Sequence, residues 1–270
     1  MKTTIVSWLV LAPLLAFCLF PFAVMFMSAL KPQTELYDPR WIPSRLAWGN
    51  FIEMWQATNF GVALGNSLYI STVSTALTIL CAIPAAYALS RMRFHGKQAF
   101  RGFLLVSQML SPIVLILGLF RLLVLAGALD SKLAVAMINT GFNMAFAVWM
   151  LESYFSTIPR DLEEAAWMEG ASSTLSLRRV FLPLAIPALV VTALFTFVNT
   201  WNEFVIALTS LRSAENYTLP IQILSLVSGR YSIEWHYVMA ATFVATLPVA
   251  IVFAWLQRYL VTGLTSGAVK

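Results

Sequence analysis

The sequence predicts an all-α membrane protein with six transmembrane helices. Of its 270 residues, 60% are hydrophobic and only 11% are charged, whereas about a quarter of the residues in a soluble domain are charged. The hydrophobic residues fall into six long runs of the kind that cross about 30 Å of hydrocarbon as helices. We expect spans at residues 5–30, 66–90, 103–120, 133–154, 184–208 and 237–261, within a single transmembrane domain of residues 1–270.

The first apolar run is longer than the apolar core of a signal peptide, so we interpret it as an uncleaved span. Pro13 and Pro21 lie within it and predict bends, which neighbouring helices accommodate in membrane proteins. The following segment, residues 31–65, is too polar to span and is rich in Trp and Pro. Such aromatic residues are typical of the membrane interface, and we expect this segment to be an external loop.

The short loop after the second span fixes the orientation of the chain. Arg91, Arg93, Lys97 and Arg101 crowd this loop between two apolar runs. Positively charged loops stay on the cytoplasmic side of the membrane. We therefore expect both termini to be cytoplasmic, and we expect the third span to kink near Pro112.

Residues 159–183, PRDLEEAAWMEGASSTLSLRRVFLP, form the longest polar interruption in the second half of the chain. Gly170 predicts a division into two short helices, because glycine readily adopts the left-handed conformation that closes a helix. Ser172 is suited to cap the second helix. One face of the first helix is narrow and carries Ile158, Leu162, Ala165 and Ala166. The same pattern also fits a helix pair that merely lies on the membrane surface.

Polar residues inside the expected spans are the candidates for a translocation pathway. The spacing of three and four places Asn199, Asn202 and Glu203 on one face of the outer half of the fifth span. An ionisable group in a span costs several kcal/mol unless it is paired or faces water, which favours a position toward a cavity. The alternative for these residues, and for Asn139 and Asn143 in the fourth span, is a structural hydrogen-bond clamp between helices.

The sequence lacks the motifs of several enzyme classes. The sequence contains no GxxxxGK[ST] loop, so we expect the chain not to bind or hydrolyse ATP by itself. It also contains no HExxH and no GxSxG, which argues against a membrane-embedded enzyme. The net charge of +5 comes from basic residues in loops, where it indicates the orientation of the chain in the membrane and not a nucleic-acid partner. No catalytic residue, cofactor or metal site is predicted.

The polar segment of residues 159–183 contains a motif. Its sequence reads EAA at residues 164–166, EGA at 169–171, valine at 180 and LP at 182–183. This spacing resembles the EAA motif of ABC importer permeases, usually EAA-x2-DGA-x8-I-x-LP, with Glu169 in place of the usual Asp and Val180 in place of Ile. TWNEF at 200–204, YTLPI at 217–221 and QRYLVTGLTSGAVK at 257–270 also resemble the maltose-type carbohydrate permeases, in particular the shorter of their two paired subunits.

The resemblance implies a type I importer permease fold with a cytoplasmic coupling helix, in a bacterial or archaeal cytoplasmic membrane. It implies as partners a second permease, two ATPase subunits that use ATP and Mg²⁺, an extracytoplasmic solute-binding protein, membrane lipid and a carbohydrate-type solute. The residues that it assigns to coupling are Glu164, Ala165, Ala166, Glu169, Gly170, Ala171, Leu182 and Pro183. The rival hypothesis is a secondary transporter or channel that acts alone. It would need ion-coupling groups at the membrane midplane, whereas most charges of this chain lie in loops.

Overall fold

The computed structural model describes residues 2–35, 38–228 and 233–265, with side chains between residues 11 and 257. Within these ranges the regular secondary structure is helical. The last of the resembling stretches, residues 257–270, lies mostly outside the described side chains. The principal helices are α1 (Lys2–Ala29), α2 (Gly49–Ala57), α3 (Phe60–Arg91), α4 (Lys97–Met109), α5 (Pro112–Leu125), α6 (Lys132–Thr157), α7 (Arg160–Met168), α8 (Ser173–Leu184), α9 (Ile186–Trp201), α10 (Val205–Ser210), α11 (Leu219–Val227) and α12 (Trp235–Thr265).

Four of these helices, α1, α3, α6 and α12, are long and apolar enough to cross a membrane. Two further pairs pass the same criteria together but are sharply bent, α4 with α5 by 97° and α8 with α9 by 79°. If each bent pair is one span, the described residues contain six spans, which is the number that the sequence predicts.

The third expected span is two helices at a steep angle, where the sequence predicted one kinked helix. α4 ends at Met109, and Pro112 is the first residue of α5. Proline disfavours the helical conformation of the residue before it, and Ser111 is extended, with φ −71° and ψ 137°. The predicted position of the break is therefore right, but its angle is larger than a proline kink.

The fifth expected span is also interrupted. α9 ends at Trp201, and α10 begins at Val205 after a break of three residues. The carboxylate of Glu203 accepts hydrogen bonds from the backbone N–H groups of Ile206 (2.7 Å) and Ala207 (3.0 Å). An acceptor at this position satisfies donors that a new helix N-terminus leaves free, so Glu203 stabilises the start of α10.

The contacts divide the chain into two compact units, Met1–Leu64 with Leu219–Val249, and Gly65–Thr218 with Ala250–Lys270. In the first unit an aromatic cluster joins α1, α2 and α12. The ring of Phe26 lies 6.3 Å from that of Phe51 and 4.9 Å from that of Phe243. The side-chain amide of Asn50 donates to the carbonyls of Ala29 and Lys31 and so fixes α2 to the end of α1.

The core of the second unit is built by the ends of α3, α6 and α8. Phe181 of α8 is fully buried, and its ring packs edge-on against Tyr87 (5.1 Å) and Phe155 (5.7 Å). Small residues such as Ala82 and Ala147 are buried in the same core, and small side chains allow helix backbones to approach closely in membranes. This core fixes residues 159–183 against the ends of two long helices.

A single aspartate organises the loop between α5 and α6. Asp130 adopts a left-handed φ of +61°, which aspartate tolerates better than most residues. Its carboxylate accepts hydrogen bonds from the backbone N–H groups of Arg212 (2.8 Å) and Ser213 (3.1 Å) and from the Ser213 hydroxyl. The amide of Asn216 donates to its carbonyl. Asp130 therefore fixes the segment after α10 to the start of α6.

Candidate functional site

The turn between α7 and α8 has the geometry that the sequence predicts. Gly170 has a left-handed φ of +82°. The backbone N–H of Ala171 donates to the carbonyl of Ala166 at 2.9 Å and that of Gly170 donates to Trp167 at 2.9 Å, which is the double closure of a helix C-terminus. The hydroxyl of Ser172 accepts a bond from the backbone N–H of Leu175. Both the closing glycine and the capping serine are thus confirmed.

A buried carboxylate, which is not among the residues predicted from the sequence, holds α7 in place. Glu163 is only 4% exposed. It accepts a hydrogen bond of 2.6 Å from the hydroxyl of Tyr87, and its other oxygen lies 3.8 Å from Nε of Arg91. The Arg91 guanidinium also donates to the carbonyls of Phe155 and Ile158. These bonds connect α7 to the end of α3 and to the end of α6.

The sequence carried one signal for this contact. Arg91 closes a long apolar helix, and a cation at such a position needs a carboxylate or a carbonyl if it is buried. From the sequence, Arg91 indicates the orientation of the chain and nothing about its partner. The partner could not be chosen, because Asp161, Glu163 and Glu164 are close neighbours in the sequence, and only the helix orientation shows which of them faces the core.

Most of the predicted coupling residues lie on the open side of this element. Glu164, Ala165, Glu169, Gly170 and Pro183 are exposed, and Ala166, Ala171 and Leu182 are half-buried. Large apolar side chains accompany them: Leu162 is 45% exposed, Trp167 49% and Met168 90%. An exposed apolar patch with acidic neighbours is characteristic of an interaction surface.

One detail of the predicted narrow face is wrong. The helical wheel placed Ile158 on the same face as Leu162 and Ala165. In the structure Ile158 precedes α7 in an extended conformation, with φ −70° and ψ 128°, and its side chain is buried. Pro159, the next residue, disfavours a helical conformation at Ile158, and the face therefore begins only at Leu162.

The polar residues of the fourth and fifth spans form a hydrogen-bonded network. The amide of Asn143 donates to the hydroxyl of Thr200 at 3.1 Å, and the amide of Asn199 donates to Oδ1 of Asn143 at 3.1 Å. The hydroxyls of Thr200 and Ser74 lie 3.4 Å apart. Asn139 is buried and donates within its own helix to Val135. The network connects α3, α6 and α9, so the geometry favours the clamp interpretation for Asn143.

Asn199, Asn202 and Glu203 do not share one helix face, because α9 ends before Glu203. Asn202 occupies the C-terminal cap of α9, is exposed, and donates to Val198 of its own helix. Asn199 is also exposed. Within the described part of the chain, no group of three His, Cys, Asp or Glu side chains is arranged to hold a metal ion.

Comparison with known proteins decides the family. The family model for binding-protein-dependent transport system inner membrane components matches residues 74–266. This chain belongs to that family. The permease is 35% identical to the inner membrane ABC transporter permease protein YcjP of Escherichia coli, with 96% of this chain and 94% of the relative covered. It is 32% identical to the trehalose transport system permease protein SugB of Mycobacterium tuberculosis, with 97% of both chains covered.

The fold of the permease is that of ABC importer permeases. It matches a chain of a bacterial ABC transporter involved in the import of the acidic polysaccharide alginate, with a TM-score of 0.79 at 24% identity over 96% of both chains. These comparisons confirm the resemblance of the motif to that of ABC importer permeases, and they confirm the expected all-α permease fold. The permease is an inner membrane component of a binding-protein-dependent system, which rules against the secondary transporter or channel acting alone.

Proposed function

We propose that this permease, with residues 1–270 acting as one domain, forms half of the translocation pathway of an ATP-driven carbohydrate importer. Its partners are a second permease, two cytoplasmic ATPase subunits, and an extracytoplasmic solute-binding protein. The trehalose permease and the alginate importer that it resembles are both named for carbohydrates, which supports a carbohydrate as solute. Both termini and residues 159–183 lie on the cytoplasmic side.

The observation that carries this proposal is the division of α7 into a buried and an exposed side. Glu163 fixes the helix to the membrane core, whereas Glu164, Trp167 and Met168 are exposed. Complete burial of one large apolar side chain contributes about 1.5–3 kcal/mol, so Met168 and Trp167 are suited to anchor a protein partner. The exposed acids Glu164 and Glu169 can pair with basic groups at the edge of that contact.

The turn at Gly170 makes α7 and α8 a rigid lever. Its two closing bonds fix the angle between the helices, and Phe181 of α8 is fully buried in the core of α3 and α6. A displacement of the exposed side is therefore passed to the membrane helices, as a rigid-body movement requires. The ATPase subunits supply ATP hydrolysis with Mg²⁺, and this chain is a non-catalytic subunit that binds no cofactor.

Asn199 and Asn202 are the polar residues that we assign to the pathway, because both are exposed near the end of α9. Glu203 positions the start of α10 beside them. Asn139 and Asn143 are buried, and we assign them to the structural support of this part of the pathway.

The proposal is tested first by purification through a tag on this chain. We expect it to co-purify with a second permease and an ATPase, and we expect reconstituted vesicles to take up carbohydrate only when Mg-ATP and the binding protein are present. Uptake without ATP by the isolated chain would overturn the proposal.

The coupling surface is tested by Glu164→Lys, with Asp161→Lys as the matched control. Both acids are exposed on α7, but only Glu164 belongs to the motif. We expect Glu164→Lys to assemble normally and to reduce binding-protein-stimulated ATPase activity and uptake at least about tenfold, because charge reversal at such a contact costs more than 1.4 kcal/mol. Equal effects of the two substitutions would contradict the assignment.

A further inference from the structure

A cavity of about 690 Å³ lies beside α6, at the end of the helix that leads to α7. It belongs to neither the coupling surface nor the polar network. Trp149 and Ser153, two of its lining residues, are exposed, so the cavity is open to a ligand. Its lining residues are Arg101, Phe146, Trp149, Met150, Glu152, Ser153 and Ser156.

One wall of the cavity carries charge. Arg101 forms an ion pair with Glu152, whose side chain is only 7% exposed. Both hydrogen bonds of this guanidinium to described residues, to Glu152 and to the carbonyl of Leu89, use Nη2. Nε and Nη1 therefore keep N–H donors for an additional anion, in the fork geometry that suits phosphate.

Lys97 lies near this ion pair, and Arg160 lies near Lys97. Lys97 interacts electrostatically with Arg101, Arg160 and Glu152. Lys97 is half-buried and Arg160 is exposed. Neither Lys97 nor Arg160 lines the cavity itself, but both add positive charge next to its basic end.

The other wall is apolar and follows α6 into the membrane. Phe146, Trp149 and Met150 line it. From Met150 to Phe146 the helix rises about 6 Å, at about 1.5 Å per residue. The cavity thus has a basic end beside α7 and an apolar wall that covers a little less than half of the roughly 15 Å of hydrocarbon in one leaflet.

We propose that this cavity binds an anionic phospholipid. Its phosphate contacts Arg101 and is attracted by the nearby charges of Lys97 and Arg160, and one acyl chain lies along Phe146, Trp149 and Met150. Basic pockets between transmembrane helices at the cytoplasmic surface are suited to acidic headgroups, and aromatic residues are favoured at the same depth. The assignment to the cytoplasmic leaflet depends on the proposed orientation, but lipid binding itself does not depend on transport.

The test measures lipid retained by the purified transporter complex, exchanged into mixed micelles that contain equal amounts of phosphatidylglycerol and phosphatidylethanolamine. We expect the wild type to retain phosphatidylglycerol preferentially. The double variant Lys97→Gln/Arg160→Gln removes two cations and leaves the ion pair of Arg101 and Glu152 intact. We expect it to bind phosphatidylglycerol about 25-fold more weakly, because each basic group near an anionic lipid contributes about fivefold in affinity.

Two further variants separate charge from shape. Arg178→Gln/Arg179→Gln removes two exposed cations of α8 that are neither in the cavity lining nor among the charges around Lys97, and we expect its lipid retention to equal that of the wild type. Ser153→Trp places a bulky side chain in the cavity without a change of charge, and we expect it to retain less lipid. Equal retention by Lys97→Gln/Arg160→Gln and wild type, or equal retention of the two lipids by the wild type, would overturn the proposal.

The occupant is identified by a photoreactive amino acid at position 153. A crosslink to phospholipid supports the proposal, and a crosslink to the second permease shows that a protein covers the cavity and overturns it. These readouts do not use ATPase activity or uptake, so their failure leaves the proposed transport function unaffected.

Discussion

The hydroxyl of Tyr87 donates a hydrogen bond of 2.6 Å to the carboxylate of Glu163, and both side chains are buried. The bond joins two helices whose residues lie 76 positions apart in the sequence. It connects a transmembrane helix directly to the helix that carries the EAA motif. The end of α3 and α7 are therefore connected by their side chains as well as through the backbone.

The first prediction concerns Glu163. We expect Glu163→Ala to destabilise the permease by about 3–5 kcal/mol, because removal of one partner leaves the cation of Arg91 buried without its carboxylate. Glu163→Gln keeps an acceptor for Tyr87 and is expected to lose less. Thermal unfolding of the purified complex measures both effects. Tyr87→Phe is the matched control, since it removes the same hydrogen bond without leaving a charge unpaired; equal destabilisation by Tyr87→Phe and Glu163→Ala would contradict the role of the charge.

The second prediction concerns Gly170, whose φ is +82°. A Cβ at this position would meet no atom within 4 Å, so the cost of a substitution comes from the backbone conformation alone. We expect Gly170→Ala to reduce stability by about 1 kcal/mol and Gly170→Asn to be tolerated better, because asparagine adopts the left-handed region more readily. Unfolding measurements on the three variants give their order of stability, and we expect Gly170→Val to be the least stable. A stability of Gly170→Val equal to that of the wild type would show that the turn is not needed.

The sequence could predict local features of the site better than its long-range contacts. The closing glycine and the cap at Ser172 depend on a few neighbouring residues, and so does the break before Pro112. The bond between Tyr87 and Glu163 depends on how two helices pack, for which the sequence contains no local signal. The break after Trp201 was missed for a related reason: Glu203 appeared as a charge inside a span, whereas its carboxylate starts a new helix.

The third prediction distinguishes a structural role, as a hydrogen-bond clamp between helices, from a role in the translocation pathway. Asn143 makes interhelical bonds to Thr200 and Asn199. Among the described residues, the side chain of Asn202 bonds only within its own helix. We expect Asn143→Leu to destabilise the permease by about 1 kcal/mol, since an interhelical hydrogen bond in a membrane contributes about 0.6 kcal/mol on average. Asn202→Leu is expected to leave stability unchanged and to alter uptake. Unfolding and uptake measured on both variants decide the assignment; loss of assembly by Asn202→Leu would favour a structural role for that residue as well.

The fourth prediction concerns the pH dependence of the loop at Asp130. Burial acts to raise the pKa of this carboxyl, but the hydrogen bonds from Ser213 and Arg212 outweigh it and lower the pKa to about 2. The unfolded-state pKa of aspartate is about 3.9, so the bonds contribute their full stability above pH 4, and this contribution is lost as the pH falls toward 2.

Asp130→Asn should remove this part of the pH dependence, because asparagine does not titrate. It also tolerates the left-handed φ of +61°, so the loop conformation is retained. We expect the stability difference between the wild type and Asp130→Asn to shrink between pH 4 and pH 2, measured by thermal unfolding in acid-stable detergent. Asp38 is the control: its pKa is also lowered to about 2, by its bonds with Arg40, but this pair is local and exposed. We therefore expect Asp38→Asn to leave the stability profile almost unchanged, since exposed ion pairs contribute little, and an equal effect of the two substitutions would show that Asp130 does not fix the loop.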